Sequence, residues 1–96
     1  MELMFTVSQR DALPVLLPLL RASKRRGAQW GCFFTDSGVE ALDSKELVDL
    51  LTCATQAVAC EFSWERYRSG AHCPINSGSQ TNNSAMTADA RHIISL

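Results

Sequence analysis

The sequence predicts an α/β fold of three layers, in which a mostly parallel sheet of about five strands lies between helices. Short segments rich in β-branched and aromatic residues alternate with segments in which leucine recurs every three or four positions. Strands separated by helices need crossover connections, which favour a parallel sheet covered on both faces. The length of 96 residues matches one small domain, since domains cluster near ~100–150 residues. We therefore expect a single domain over residues 1–96.

The first strand and the first helix are predicted at the start of the chain. Residues 2–7 (ELMFTV) are predicted to form a strand because they are apolar and rich in β-favouring types. Residues 11–26 follow with leucines at helical spacing, and Asp11 is the predicted N-cap. Pro14 fits the first helical turn, whereas Pro18 would remove a backbone hydrogen bond. We therefore expect a kink or a late start of this helix.

A second strand and a second helical region follow. Residues 29–35 (QWGCFFT) are apolar without alternation, which is typical of a strand covered on both faces. Residues 39–54 return to helical spacing, with Asp43 and Ser44 as a possible break and a fresh cap. One helix and two helices fit this region equally well.

The second half of the chain continues the alternation with shorter segments. Its predicted elements are a strand at 56–60, a helix at 62–68, an extended segment at 74–79, a polar helix at 84–91 and a strand at 92–96. Gly70 follows the helix at 62–68 and suits the left-handed position after a helix end. The polar run at 77–84 is too short for a linker and is predicted to be a loop.

Composition and charge restrict the classes of partner. Hydrophobic residues make up 46% of the chain and charged residues 20%, as in an ordinary folded domain. The net charge of −1 gives no reason to expect nucleic acid or an anionic membrane. The basic cluster at 24–26 is expected to complement the negative end of the preceding helix. Because no run approaches ~18 apolar residues and the start lacks a basic signal region, we expect a cytoplasmic protein without a membrane anchor.

Cys60 is the predicted reactive group. It ends a buried strand and directly precedes a helix, where unpaired N–H groups and the helix dipole stabilise a thiolate. The neighbouring carboxylate of Glu61 opposes ionisation of this thiol, whereas Arg66, Arg68 and His72 would favour it if they fold back toward it. The opposing interpretation is that Cys60 is an inert core residue, because cysteine is among the most buried residue types.

The other three cysteines have different expected roles. Free thiols are favoured over disulfides in a reducing cytosol. Cys32 and Cys53 are expected in the core. Cys73 either is a loop residue without a role or serves as a resolving thiol that attacks sulfur held on Cys60. No ligand spacing, phosphate-binding loop or ordered catalytic serine supports a metal site, a nucleotide site or a cofactor.

A binding pocket is expected where the predicted strands end. In open α/β sheets, ligands bind beyond the carboxyl ends of the strands. Cys60 lies in the middle of three loops at this edge, with Ser37 and Gly38 in the loop before it and Gly78 and Ser79 in the loop after it. These four small residues are predicted to line a pocket whose hydroxyls and backbone N–H groups hold an anion or a polysulfide chain.

Three segments of the chain resemble the DsrE/DsrF/DsrH-like family of small sulfur-relay proteins. Residues 32–42 (CFFTDSGVEAL) look like the second strand and turn of the family, and residues 58–61 (VACE) look like the strand that ends in its sulfur-carrying cysteine. Residues 77–96 are similar to its closing pattern of Gly-Ser, helix, Ala-Asp-Arg and strand. The resemblance implies a single DsrE-like domain with a flavodoxin-like fold, assembly into trimers or hexamers, and a persulfide on Cys60.

Two functions remain as hypotheses. In the first, Cys60 accepts a sulfane sulfur as a persulfide and passes it to a partner thiol, so that the protein acts as a sulfurtransferase or carrier between donor and acceptor proteins. In the second, the protein is a non-catalytic assembly subunit with a silent, buried Cys60 and a contact surface at 62–68. Because a chain this small builds a thin core, a homo-oligomer or an assembly with related subunits is expected in either case.

Overall fold

Five parallel strands form the centre of the fold, and the computed structural model describes all of residues 1–96. In chain order the strands are β1 (Leu3–Val7), β2 (Trp30–Phe34), β3 (Gln56–Cys60), β4 (Asn76–Gly78) and β5 (His92–Ser95). The helices are α1 (Leu13–Arg25), α2 (Lys45–Leu51), α3 (Glu61–Arg68) and α4 (Gln80–Asp89), with 3-10 segments at Arg10–Ala12 and Asp36–Asp43. The predicted α/β class with a parallel sheet is confirmed.

The strand order β4-β3-β2-β1-β5 determines which helices cover which face. The chain steps from β1 to β4 in one direction, so crossovers of the same hand place α1, α2 and α3 on one face. The connection from β4 to β5 returns across the whole sheet, and α4 therefore covers the opposite face. No helix of the fold is both long enough and apolar enough to cross a membrane.

The two faces of the sheet carry cores of unequal size. Fifteen buried residues form the cluster under α1, α2 and α3, whereas only five form the cluster under α4. All five residues of β2 are buried, as predicted for a strand covered on both faces. Phe33 of β2 belongs to the smaller cluster, and its neighbours Cys32 and Phe34 belong to the larger one. The α4 face is therefore the thinner side of the molecule.

The start of α1 corrects two sequence predictions. Asp11 is not the N-cap, because it lies inside a 3-10 turn and the N-cap position of α1 is Ala12. The late start expected because of Pro18 was wrong, because the helix already begins at Leu13, ahead of both prolines. Pro14 lies in the first turn of α1, where backbone N–H groups make no hydrogen bond within the helix, so the missing N–H of proline costs nothing. Pro18 lies within the helix.

Side-chain caps determine where α2 and α4 begin. Ser44 separates the 3-10 segment from α2 and accepts a hydrogen bond from the N–H of Leu47 at 3.2 Å, so the interpretation with two helical segments is confirmed. The loop predicted over residues 77–84 was wrong from residue 80 onward, because α4 already begins at Gln80. Ser79 and Asn82 form a capping box that starts this polar helix four residues earlier than predicted.

Candidate functional site

Cys60 lies where β3 ends and α3 begins. It is the last residue of the strand and occupies the N-cap position of the helix. Its side chain belongs to the smaller cluster, together with Met4, Phe33, Val58 and Met86, so the thiol lies on the face covered by α4. Only 4% of the residue is exposed. The predicted placement of a thiol at a helix N-terminus is confirmed.

Hydrogen-bond donors around Cys60 favour its ionised form. Burial opposes ionisation and raises the pKa of the thiol, but the hydroxyl and the N–H of Ser63, the N–H of Phe62 and the hydroxyl of Thr35 all lower it. The donors outweigh burial, and the pKa of Cys60 is lowered from its ordinary value. The neighbouring donors therefore favour the thiolate form of a cysteine that is almost fully buried.

Ser63 connects the end of β2 to the first turn of α3. Its buried Oγ accepts a hydrogen bond from the N–H of Asp36 at 2.8 Å and lies 3.5 Å from Oγ1 of Thr35. Because Ser63 Oγ accepts from this N–H, its own hydroxyl proton is free to point at Thr35 or Cys60.

The turn at Asp36 has a strained backbone. Asp36 has a φ of 49°, a left-handed conformation that costs a non-glycine residue of order 1 kcal/mol or more. This conformation accompanies the hydrogen bond from its N–H to Ser63. The strained turn is therefore the one whose N–H binds Ser63, and Ser63 is the main hydrogen-bond donor to the thiol.

Sequence reasoning did not identify Ser63 as a site residue, and it placed Thr35 at the sheet edge around the thiol without giving it a role. Ser63 lies three positions after Cys60, in the first turn of α3, and this spacing was an available signal. Thr35 follows the neighbouring strand β2, so its approach to the thiol depends on the strand order. Only the assembled sheet brings the two hydroxyls together.

The charged groups of α3 do not converge on the thiol. Glu61 is exposed in the first turn. Arg66 lies over the ring of Tyr67, with 5.4 Å between the guanidinium carbon and the ring centroid. Arg68 pairs with Glu40 at 3.0 Å and also with Asp43, whose pKa this contact lowers.

Two of the predicted pocket residues lie next to β3. Gly78 is the register partner of Cys60 in the β3–β4 ladder. A Cβ at Gly78 would lie 2.7 Å from a methyl carbon of Val58 and 2.6 Å from Asn82 Oδ1, so the side chains of Val58 and Asn82 occupy the space that a side chain at this position would need. Ser79 donates its N–H to Asn82 Oδ1 at 2.8 Å. This donor is occupied in capping α4.

The other two predicted pocket residues face β1 instead of β3. Ser37 Oγ accepts a hydrogen bond from the N–H of Arg10 at 3.4 Å. Gly38 packs against the end of β1, where a Cβ would lie 2.1 Å from the carbonyl oxygen of Val7. The contacts of Ser37 and Gly38 are therefore with the end of β1 and with the turn that follows it, and not with the donors around Cys60.

The four cysteines are all free. Cys32 is buried as predicted, and burial raises the pKa of its thiol. The prediction that Cys53 lies in the core was wrong, because α2 ends at Leu51 and Cys53 is exposed in the turn that follows. Cys73 packs against the larger cluster, on the opposite face from Cys60, so the structure does not bring these two thiols together.

The thiol of Cys60 lies under α4 and not in an open cavity. The two largest cavities, of about 490 and 480 Å³, lie elsewhere, one beside the amino end of β3 and the other between α1 and β5. No three side chains of His, Cys, Asp or Glu lie close enough together to hold a metal ion. The chemistry of the site therefore depends on one thiol and its hydrogen-bond donors.

Comparison with known proteins adds no further assignment. No protein-family model matches this chain, and a search of curated proteins found no match.

Proposed function

We propose that this protein transfers sulfur, with Cys60 as the thiol that carries it. The observation that supports this function best is the group of donors around one thiol, which lowers its pKa despite burial. A thiolate is the form that attacks sulfane sulfur. The proposal agrees with the function implied by the resemblance to DsrE-like proteins. It places the protein in the cytoplasm, as a homo-oligomer or with related subunits.

The proposed reaction consists of two thiol exchange steps without net oxidation. The thiolate of Cys60 attacks the outer sulfur of a donor persulfide, an S–S bond forms on Cys60, and the donor leaves as a thiolate. An acceptor thiolate then attacks the outer sulfur held on Cys60, and Cys60 leaves as a thiolate. Ser63, Thr35 and the N–H of Phe62 stabilise the negative charge of Cys60 before the first step and after the second.

Transfer to a partner requires a contact surface beside the nearly buried thiol. Phe62, two residues after Cys60, is 75% exposed although it is a large aromatic residue. Aromatic side chains are frequent anchors of protein interfaces. We assign Phe62 to contact with the donor or acceptor protein, and we expect the smaller cluster under α4 to open during transfer.

Intact mass spectrometry after brief exposure to inorganic polysulfide tests the proposal. Cys53 is exposed and Cys73 is half-buried, so both would take up sulfur without specificity. The parent protein for this experiment is therefore the variant Cys53→Ser/Cys73→Ser. We expect a gain of about 32 Da that a reductant reverses. Cys60→Ser in the same background is the matched control and should show no gain; equal uptake in both proteins would refute the proposal.

One observation favours a second function, a non-catalytic assembly subunit. With 4% exposure, Cys60 is almost as buried as an inert core cysteine. An aromatic thiol reagent applied to the Cys53→Ser/Cys73→Ser protein separates the two functions. A carrier thiol reacts in the native state below neutral pH, whereas a silent one reacts only after unfolding.

A further inference from the structure

One side of α1 carries a stripe of residues that the rest of the chain covers only in part, since Leu19 packs against the larger cluster whereas Val15 is exposed. Asp11, Val15, Leu19, Ala22 and Arg26 follow one another at intervals of three or four residues, which places them along one side of a helix. Val15 is 54% exposed, and Leu19 and Ala22 are half-buried. We call these five residues the α1 stripe. Its centre is apolar and its two ends are charged.

The α1 stripe borders an open groove at the edge of the sheet. A cavity of about 480 Å³ lies between α1 and β5 and is lined by Leu19, Ala22 and Ile94, among others. Ile94 of β5 is the register partner of Phe5 and lies on the face that α1 covers, whereas its neighbour Ile93 alternates to the face of α4. Val15 is the one large, highly exposed hydrophobic residue beside this groove. The apolar surface that lacks a cover here consists of Val15 and the apolar lining of the groove.

The ends of the α1 stripe carry opposite charges without partners. Asp11 and Arg26 are both exposed, and neither takes part in an ion pair within the chain. Asp11 lies just before α1, and Arg26 is its C-cap residue. The two positions are fifteen residues apart, or about 22 Å along a helix. That distance exceeds the Debye length of about 8 Å, so they do not neutralise each other.

We propose that a second copy of this chain covers the α1 stripe, with the two α1 helices packed antiparallel about a two-fold axis. The stripe is self-complementary in that orientation. Asp11 of each copy lies opposite Arg26 of the other, Val15 lies opposite Ala22, and Leu19 lies near the axis. The helix dipoles are then antiparallel as well, which is the favourable arrangement. A two-fold contact of this kind closes on itself as a dimer.

Sedimentation analysis of the wild-type chain and two glutamate variants gives the first test. We expect the wild type to dimerise reversibly and Val15→Glu to raise the dissociation constant at least about tenfold, because a charge would enter the apolar centre. Thr81→Glu on α4 is the control, since it places the same charge on an exposed residue at the opposite face of the sheet. A wild type that stays monomeric at about 100 μM, or equal effects of the two variants, would refute the dimer.

A charge swap then identifies the orientation. Asp11→Arg and Arg26→Asp should each weaken dimerisation about threefold, because like charges then face each other across the interface. The double variant should restore the wild-type constant. Absence of restoration would overturn the antiparallel arrangement, because only that arrangement brings these two positions together.

The dimer and the proposed sulfur transfer can be tested independently. No residue of the α1 stripe contributes a donor to Cys60. Val15→Glu in the Cys53→Ser/Cys73→Ser background should therefore take up sulfur as its parent does. Circular dichroism and thermal unfolding of each variant show whether a variant that stays monomeric is still folded.

Discussion

We expect the reactivity of Cys60 to depend on the hydrogen-bond donors of its immediate neighbours, which lower its pKa. Ser63→Ala removes the hydroxyl that contributes most to lowering the pKa of Cys60. We expect the pH profile of alkylation to move to higher pH and the rate at pH 7 to fall about tenfold, since a hydrogen bond to a charged group contributes about 1.5–3 kcal/mol. Iodoacetamide labelling of the Cys53→Ser/Cys73→Ser protein measures both quantities.

The serine at the C-cap of the same helix provides the control for that experiment. Ser69 is exposed, and its hydroxyl donates to Glu65 at 2.9 Å and not to the thiol. Ser69→Ala should leave the alkylation profile of Cys60 unchanged. If both alanine variants behave alike, the side chain of Ser63 does not control the thiol.

Gly38 tests a packing constraint at the level of one residue. A Cβ at this position would lie 2.1 Å from the carbonyl oxygen of Val7, so either the backbone of β1 or the 3-10 segment must move. We expect Gly38→Ala to lower the free energy of unfolding by about 2–3 kcal/mol, measured by urea denaturation. Gly27→Ala is the comparison, because Gly27 has a φ of 69° but open space around it. Its cost should be only about 1 kcal/mol.

At the scale of elements, α4 packs on the cluster that contains Cys60, and we expect it to limit access to the thiol. The helix is polar, and Met86 is its only buried residue, packed in the same cluster as Cys60. Few apolar contacts therefore stabilise α4, and its capping box becomes important. We expect Ser79→Ala to destabilise the start of α4 by about 1 kcal/mol. Cys60 should then be labelled about fivefold faster under native conditions, since 1 kcal/mol changes the population of an open state by that factor.

The N-cap of α2 is a matched control for α4. Ser44 caps α2 in the same way, but α2 lies on the opposite face of the sheet. Ser44→Ala should cost a similar free energy of unfolding without changing the labelling rate of Cys60. An equal acceleration in both variants would show that Cys60 is labelled through global unfolding and not through opening of α4.

At the scale of the whole molecule, the two buried cysteines, Cys32 and Cys60, change the stability of the protein with pH in opposite directions. A thiol in the unfolded chain ionises near about pH 8.5. Burial raises the pKa of Cys32 in the folded protein. The contribution of this thiol to the free energy of unfolding is therefore fully present below about pH 8.5 and is lost as the pH rises above that value. The pKa of Cys60 is lowered, so its contribution is lost as the pH falls through the folded pKa and is complete above about pH 8.5.

The alkaline loss of stability should therefore come from Cys32. We expect Cys32→Ala to cost about 1–2 kcal/mol at neutral pH because it leaves a small cavity. Above about pH 8.5 the thiol of Cys32 ionises in the unfolded chain. The free energy of unfolding of the wild type should therefore fall by up to about 1.4 kcal/mol per pH unit more than that of this variant. Urea denaturation between about pH 7 and pH 10 measures the difference. Parallel stability curves for the two proteins would contradict the assignment to Cys32.

Local patterns predicted most of the fold because they reflect local physics. The period of the leucines places helices at α1 and α2, and the break at Ser44 was visible because serine is a good N-cap. The same local reasoning failed at Asp11, which has a capping side chain but lies inside a 3-10 turn. It failed again at the start of α4, where the polar residues 80–84 read as a loop although a capping box starts the helix.

By itself the sequence determined the α/β class, the order of the elements and the position of Cys60 between a strand and a helix. These features depend on spacing and on residues adjacent in the chain. The tertiary structure decided that Thr35 and Ser63 meet Cys60, that Cys73 lies on the other face, and that α4 covers the thiol. These contacts join residues from different elements, and strand order and the crossover to β5 determine them through packing of the whole chain.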